Sequence, residues 1–269
     1  MPIDSTLTAP GTTRFVAAAR VLLDRVEEQA EAIAQVAAVC ADAIAAGGLV
    51  HLFGTGHSRI PVEEMFPRYG SYPGFNPIVE LSMTFHTQVV GSNGQRQAMF
   101  IERTPGLAET ILANFELRPT DVLIVFSASG LSAVPIEMAI GARKRGLTVV
   151  AVTSIAHSMA GEPTHEAGRL LDNADIVLDL GTPPGDALVS IEGLATPVAP
   201  GSTIAAVALV NEIKTQTAEL LVERGAMPPV LTSAAVVGKE ASAELFEAAY
   251  AEHARRYARS LRGHECETR

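Results

Sequence analysis

The stretch Asp121–Ser132, DVLIVFSASGLS, joins the clearest apolar run in the chain to a loop rich in serine. The run ends at Phe126, and the six residues that follow include three serines and one glycine. A short apolar run bounded by small residues is typical of a buried strand in a parallel sheet. A turn needs only a few special residues, so the additional hydroxyl groups predict a loop that binds an anion, and we expect a phosphate.

Apolar runs and helical periodicity alternate on both sides of this stretch. Predicted strands lie at 49–53, 78–79, 121–126, 148–152 and 176–180, and predicted helices at 107–115, 135–144, 202–224 and 241–259. Apolar residues spaced by three, four and seven predict one further, long amphipathic helix over about 13–46. The alternation predicts a single α/β domain over 1–269, a three-layer sandwich with a mostly parallel sheet and helices on both faces. A helical extension is expected over about 241–269, and the proline-rich segment 181–203 is expected to be a loop beside the active site.

Composition limits the classes of function. The 269 residues are 48% apolar and carry 30 acidic against 20 basic side chains, a net charge of −10. This balance argues against a general affinity for nucleic acid or for anionic membranes. The two cysteines, Cys40 and Cys266, fit no zinc spacing, and no signal peptide or membrane-length apolar run is found. We therefore expect a cytoplasmic protein without a metal, a cofactor, a nucleic-acid partner or a membrane partner.

A second glycine- and serine-bearing loop follows the first predicted strand. The sequence FGTGHSR, Phe53–Arg59, contains two glycines and Ser58 and precedes a helix. Backbone N–H groups and the helix dipole favour an anion at such a position, and glycine lets the backbone approach it closely. Because the carboxyl ends of parallel strands meet at one edge of a sheet, two such loops predict a shared phosphate pocket.

Two other interpretations of these loops stay open at this point. Both loops could be simple strand-to-helix turns. Alternatively, GTGHSR could be a dinucleotide fingerprint, with Glu80 as the acid that binds the ribose. Arg59 stands where that fingerprint has its third glycine, and the segment lacks the lysine of a P-loop. Both departures favour the phosphate pocket.

The pair GTGHS and SASGLS, followed by GLTVVAVTS, resembles the sugar isomerase (SIS) family of phosphosugar-binding domains. The resemblance covers the chain from the N-terminal helix to about Ser233. It implies that four serines hold the phosphate of a sugar phosphate: Ser58, Ser127, Ser129 and Ser132. The longer string LFGTGHSR…EEMFPRYG…NPIVE is similar to actinobacterial members associated with dehydration of N-acetylglucosamine 6-phosphate. The resemblance also implies a homodimer or tetramer in which a neighbouring subunit completes the active site.

Several side chains near these loops are candidates for acid–base catalysis. Glu63 and Glu64 lie on the helix that follows the first loop, and we favour Glu64 as the functional member of the pair. His57 lies within the first loop, where it could bind or protonate a ligand. The ordinary interpretation of both glutamates is a surface carboxylate on a helix, and that of His57 is a loop residue whose ring bonds to the backbone.

Two further candidates lie elsewhere in the chain. Glu102, in FIERTPG, follows a short apolar run and is a second acid–base candidate. His86 could act across a dimer, or it could be a partly buried structural histidine. Glu212 and Lys214, on the helix predicted over 202–224, are expected at the surface or at a subunit interface.

The sequence therefore predicts an enzyme that removes the C2 proton of an amino-sugar 6-phosphate. Dehydration, with loss of the 3-hydroxyl, is preferred because of the resemblance, and aldose–ketose isomerisation is the second choice. A non-catalytic sugar-phosphate sensor is a further alternative, although no basic DNA-recognition helix accompanies the acidic N-terminal segment. A dehydrogenase is the third possibility and would require a nucleotide at GTGHSR.

Overall fold

The structure is a computed structural model that describes residues 13–84 and 94–261. Its strands are β1 (Val50–Gly54), β2 (Phe75–Ile78), β3 (Val122–Phe126), β4 (Thr148–Thr153), β5 (Ile176–Asp179), β6 (Ala187–Val189) and β7 (Val198–Pro200). Its helices are α1 (Arg14–Glu27), α2 (Ala30–Ala45), α3 (Ile60–Met65), α4 (Gly94–Ile101), α5 (Leu107–Leu112), α6 (Ala133–Lys144), α7 (Ile155–Ala160), α8 (Ser202–Glu223), α9 (Ala234–Val237) and α10 (Lys239–Ala258).

Five strands form one parallel sheet in the order β2-β1-β3-β4-β5. From β1 the chain first adds a strand on one side and then continues on the other, so the strand order reverses between β1 and β3. Ligands of open α/β sheets bind beyond the carboxyl ends of the strands at such a reversal. The loops that follow β1 and β3 are the two glycine- and serine-bearing loops of the sequence.

Apolar side chains pack on both faces of the sheet, which confirms the three-layer α/β fold. One buried cluster joins β1, β3 and β4 to α1, α2 and α8, with Leu52, Ile124 and Leu209 fully buried. The other joins the opposite face to α5 and α6, with Leu123, Val125 and Leu112 fully buried. No helix within 13–84 or 94–261 is long and apolar enough to cross a membrane.

The long helix predicted over about 13–46 is two helices, α1 and α2, that meet at Gln29. The Gln29 side chain accepts a hydrogen bond from Asp179 N (2.7 Å) and donates one to Asp179 O (2.8 Å). Asp179 lies in the edge strand β5, so the glutamine satisfies backbone groups that a further strand would otherwise bond. Apolar periodicity could not reveal this break, because it depends on a contact between residues 150 positions apart in the chain.

The proline-rich segment 181–203 leads from β5 to the start of α8, on the edge of the sheet where it was expected. It contains a small antiparallel hairpin, β6 and β7, which the sequence did not predict. Asp186, in the turn before β6, has a positive φ of 68° and accepts hydrogen bonds from Ser202 N (2.8 Å) and Ser202 Oγ (2.6 Å). The hairpin therefore fixes the first turn of α8 against the sheet.

Asp121, at the opposite end of the sheet, connects β3 to β1. Its carboxylate accepts hydrogen bonds from Leu49 N and Arg118 N, both at 3.0 Å, and lies 3.5 Å from His51 Nε2. Burial by itself raises the pKa of Asp121, but His51 and the two N–H groups outweigh burial, and the pKa is lowered overall.

We expect Asp121→Asn to reduce the free energy of unfolding at pH 7 by about 2 kcal/mol, because the amide can accept only one of the two backbone hydrogen bonds. A carboxyl whose pKa is lowered by folding stabilises the protein above its unfolded pKa and loses that effect as the pH falls through its folded pKa. The difference between the two proteins should therefore shrink below about pH 4. Urea unfolding at several pH values measures it, and a difference independent of pH would contradict this account.

Candidate functional site

The loops that follow β1 and β3 lie next to each other because the two strands pair in register, with Gly54 opposite Phe126. The first loop forms a short 3₁₀ turn, Gly56–Arg59, that leads directly into α3. The second loop ends at Ser132, the residue before α6. In the first turn of α6, Val134 N donates to Glu102 O (2.9 Å), Ile136 N donates to Ser132 O (3.4 Å), and Pro135 has no N–H. Of the four residues in this turn, only Ala133 has an N–H left for an anion.

Glycine is required at one position in each loop. A Cβ atom on Gly54 would lie 2.3 Å from the backbone oxygen of Ser58, so a side chain there would force the first loop open. Gly130 has a φ of +63°, and a Cβ atom on it would lie 2.9 Å from Thr153 Oγ1. A larger residue would clash at either position, so only glycine permits the tight course of both loops.

Side chains from the two loops and from the start of α8 line one narrow cleft. His57 and Ser58 come from the first loop, Ser127 from the second, and Ser202 and Thr203 from α8. The cleft offers about 10 Å³, the space of one water molecule. A phosphate group is larger, so the cleft would have to widen to admit one.

The hydroxyl groups of Ser127 and Ser129 accept hydrogen bonds within their own loop. Ser127 Oγ accepts from Gly130 N (3.1 Å), and Ser129 Oγ accepts from Leu131 N (3.4 Å). Acceptance of an N–H leaves the proton of each hydroxyl to be donated elsewhere. Both serines therefore have a proton that could be donated to a phosphate oxygen, and their phosphate-binding role stays a prediction.

The Glu102 carboxylate accepts a hydrogen bond from each of the two loops. Thr55 Oγ1 donates to its Oε2 (2.6 Å), and Ser132 Oγ donates to its Oε1 (2.9 Å). The backbone oxygen of Glu102 also accepts from Val134 N in α6 (2.9 Å). Since the single proton of Ser132 is directed at Glu102, the contact of Ser132 with a phosphate would have to come from its backbone or after rotation of the hydroxyl.

Glu64 lies on α3, one to two turns beyond Ser58, and does not line the narrow cleft. One carboxylate oxygen accepts from Asn211 Nδ2 (3.1 Å) and the other pairs with Arg68. The side chain is 18% exposed, whereas that of Glu63 is 58% exposed and pairs with Arg59 at 3.0 Å. The structure thus separates the two neighbours: Glu63 is a surface carboxylate, and Glu64 is partly buried against α8.

Lys214, which the sequence placed at the surface or at an interface, is buried within the subunit and only 7% exposed. Its Nζ donates to the backbone oxygen of Glu64 (2.9 Å) and lies 3.4 Å from Ser71 Oγ. Burial lowers the pKa of Lys214, and the nearby charge of Glu64 partly opposes that effect. Lys214 therefore holds α3 against α8 at the position of Glu64. Glu212 is exposed, as expected.

Sequence reasoning missed Thr55, Thr203 and Asn211. Thr203 could have been found, because it follows Pro200-Gly201 at the start of a predicted helix on the correct edge of the sheet. Thr55 and Asn211 become visible only through their contacts with Glu102 and Glu64. The candidate His86 lies outside the described residues. Within 13–84 and 94–261, no group of three or more His, Cys, Asp or Glu side chains could hold a metal ion.

Comparisons with known proteins point to one family. The family model SIS_2, described as SIS domain, matches residues 14–154, a range that includes both loops. A UPF0309 protein of Listeria monocytogenes serotype 4b is 33% identical over 223 residues, which cover 82% of this chain and 88% of that protein. A UPF0309 protein of Streptomyces avermitilis is 35% identical over 227 residues, covering 84% and 89%.

Among solved structures, a phosphoheptose isomerase from Francisella tularensis matches with a TM-score of 0.47 and 16% identity, covering 76% of this chain and 94% of the other. The Vibrio vulnificus NanR protein, solved as a complex with ManNAc-6P, matches with a TM-score of 0.40 and 15% identity, covering 80% and 64%.

Proposed function

This chain belongs to the SIS-domain family, and from that premise we propose that it is an enzyme acting on an amino-sugar 6-phosphate. The reaction begins with removal of the proton at C2. The preferred substrate is N-acetylglucosamine 6-phosphate, and the preferred outcome is dehydration. The observation that carries the proposal is the joining of two serine-bearing loops at the reversal of strand order, with a partly buried carboxylate at the end of the helix that the first loop begins.

The phosphate group is assigned to the cleft between the two loops. Ser58, Ser127 and Ser129 would donate hydroxyl protons to its oxygens, and the N-terminus of α6 would supply the backbone N–H of Ala133. Ser132 is assigned through its place at the start of α6, since its hydroxyl is directed at Glu102. No permanent positive charge is needed in this arrangement, which suits a ligand that must be released after reaction.

Glu64 is the proposed base. Its side chain is held by Asn211 and Arg68 yet remains partly exposed, so a sugar carbon could reach it. Glu102 accepts hydrogen bonds from Thr55 of the first loop and from Ser132 of the second, and this connection between the loops supports a positioning role for that residue. His57 lines the phosphate cleft, where it could donate a proton to an oxygen of the ligand.

The proposed chemistry uses only proton transfers. In the open-chain aldehyde, the base takes the C2 proton, and the electrons of the broken C–H bond form a C1–C2 double bond as the carbonyl becomes an enolate. When the carbonyl reforms, these electrons form a double bond between C2 and C3 and the 3-hydroxyl leaves with a proton from an acid, so that one water is lost. Aldose–ketose isomerisation shares the first step, but a proton is delivered to C1 and the proton of a 2-hydroxyl is transferred to the C1 oxygen, so it requires a hydroxyl at C2 in place of the acylamino group.

A homodimer or tetramer with a shared site is also proposed, in which His86 would act at the site of the neighbouring subunit. Light scattering of the purified protein tests the assembly, since a monomer at micromolar concentration would remove this part of the proposal.

The test of function is incubation of the purified protein with N-acetylglucosamine 6-phosphate in deuterated water, followed by proton NMR and mass spectrometry. We expect loss of one water and new vinylic signals. Ser58→Ala should reduce kcat/KM by about tenfold or more, because it removes one donor to the phosphate. The matched variant Ser233→Ala, which alters a cap of α9, should not.

Other results of the same experiment would favour one of the alternative functions. Entry of deuterium at C2 without loss of water would show that the enzyme removes and returns this proton but retains the 3-hydroxyl, which would contradict dehydration. Formation of a ketose from a sugar 6-phosphate that has a hydroxyl at C2, such as glucose 6-phosphate, would make the protein an isomerase. A ligand that binds in a manner sensitive to Ser58→Ala but stays chemically intact, without deuterium, would favour the sensor.

A further inference from the structure

A groove lined by aromatic side chains lies beside Glu64. Its walls come from α3 and the segment after it, from Leu231, and from α10 near the carboxyl end of the chain. The groove encloses about 510 Å³ and contains Phe246 and Tyr250 together with Glu64 and Arg68. Glu64 therefore contacts two regions: one oxygen is bonded by Asn211 of α8, while the carboxylate also lines this groove.

Phe246 and Tyr250 form a stacked pair that presents its surface to the groove. Their ring centroids are 4.6 Å apart at an interplanar angle of 21°, and the residues are 40% and 39% exposed. The buried ring of Phe66 packs behind them. Its centroid lies 6.3 Å from the ring centroid of Tyr250 and 4.7 Å from that of His253. The pair is thus supported from behind while it remains accessible in front.

The helix that carries this pair is firmly attached to the domain. Arg256, only 6% exposed, donates to Ile44 O and to Gly48 O, both at 2.9 Å, and its Nε pairs with Glu252 at 2.7 Å. Near the other end of α10, Ser242 Oγ donates to Thr232 O at 2.7 Å. Because the aromatic pair lies between these two attachments, its position is fixed before any ligand arrives.

The composition of the groove suits one part of an amino-sugar phosphate. Aromatic faces pack against apolar groups, and adjacent carboxylates accept hydrogen bonds from an amide N–H or a hydroxyl. An N-acyl group combines an apolar methyl, a planar amide and one N–H. Ser58 and Glu64 are six residues apart, about 10 Å along the helical segment, a distance that a six-carbon sugar phosphate can bridge.

We propose that Phe246 and Tyr250 make the enzyme specific for N-acylated amino-sugar phosphates by packing against the N-acyl group while the phosphate lies at the two loops. This inference rests on the proposed function and names the part of the substrate that the groove recognises. Neither aromatic residue takes part in proton transfer; both act on substrate selection.

The test compares N-acetylglucosamine 6-phosphate with glucose 6-phosphate. The substituent on C2 is uncharged in both ligands, an acetylamino group in the first and a hydroxyl in the second. Binding is measured by calorimetry in the Glu64→Gln background, so that ligand is not consumed. We expect this protein to prefer the acetylated ligand by about tenfold or more, the scale at which an apolar pocket discriminates one small group. Adding Phe246→Ala or Tyr250→Ala should remove that preference and change the affinity for glucose 6-phosphate less than about twofold.

Phe15→Ala is the matched control, because Phe15 is a similarly exposed phenylalanine, 37% exposed, on α1. It should leave the preference intact. The specificity role would be wrong if the protein bound the two ligands equally before the aromatic residues are changed. It would also be wrong if the aromatic substitutions lowered the affinity for both ligands equally. Neither result would contradict the phosphate site. Failure of both ligands to bind would overturn the proposed function and this inference together.

A second copy of the chain is the competing occupant of the groove. If light scattering shows that Phe246→Ala converts an oligomer into a monomer, the groove is a subunit interface and the specificity role is wrong. An unchanged mass, together with the loss of preference, supports the assignment to the N-acyl group.

Discussion

Glu64→Gln should reduce kcat on N-acetylglucosamine 6-phosphate by about a thousandfold, within the range that general acid–base groups contribute. The amide has the shape of the carboxylate and can still accept a hydrogen bond from Asn211, but it cannot take the C2 proton. The affinity for the substrate should change little, because the phosphate is bound elsewhere. Steady-state rates and calorimetric binding to the variant measure the two quantities separately.

Glu63→Gln is the matched control for this prediction. Glu63 is the adjacent residue on the same helix, has the same side chain, is itself exposed, and pairs with half-buried Arg59 at 3.0 Å. Its replacement should leave kcat within about twofold, since surface ion pairs contribute little. If both variants keep full activity, Glu64 is not the base. If both lose activity equally, the effect belongs to the charge of α3 rather than to one carboxylate.

Four strands of the sheet and the two loops could be predicted because their signals are local, whereas β2 is Phe75–Ile78 and not 78–79 as predicted. An apolar run followed by glycine and serine predicts the end of a buried strand, and β3 occupies Val122–Phe126 as expected. The position of the loops at one edge followed from the parallel arrangement of the sheet. The gap between α1 and α2 could not be found in this way, because no glycine or proline marks it and Gln29 is fixed only by the distant Asp179.

The candidate site was predictable to a similar extent. Two glycine- and serine-bearing loops, each between a buried parallel strand and a helix, favour an anion site, so Ser58 and Ser127, which line the cleft, could be named as candidates from the sequence. The separate environments of Glu63 and Glu64 depend on which face of α3 packs against α8, and that is tertiary information. The same holds for Lys214, whose burial results from a contact 150 residues away with Glu64.

Glu102→Ala should lower both the free energy of unfolding and the affinity for the sugar phosphate. Thr55 and Ser132 are 6% and 7% exposed, and each would lose the acceptor of its hydroxyl proton. An unsatisfied buried hydroxyl costs about 1–3 kcal/mol, so we expect the free energy of unfolding to fall by about 2–4 kcal/mol. The dissociation constant for the sugar phosphate should rise by about tenfold or more, because a shift of the loops misplaces several donors at once. Urea unfolding and calorimetric titration measure these two effects.

Glu102→Gln separates the positioning role from a role as base. The amide keeps a carbonyl acceptor for one of the two hydroxyls, and it also removes a negative charge near the phosphate site. Binding should therefore be as strong as that of the unchanged protein or stronger, while kcat should fall much less than in Glu64→Gln. If Glu102 were the base, Glu102→Gln would also bind normally, but its kcat would fall by about a thousandfold. The contacts favour the positioning role, because the Glu102 carboxylate accepts one hydrogen bond from each loop, at 2.6 Å and 2.9 Å, and so holds the two loops together.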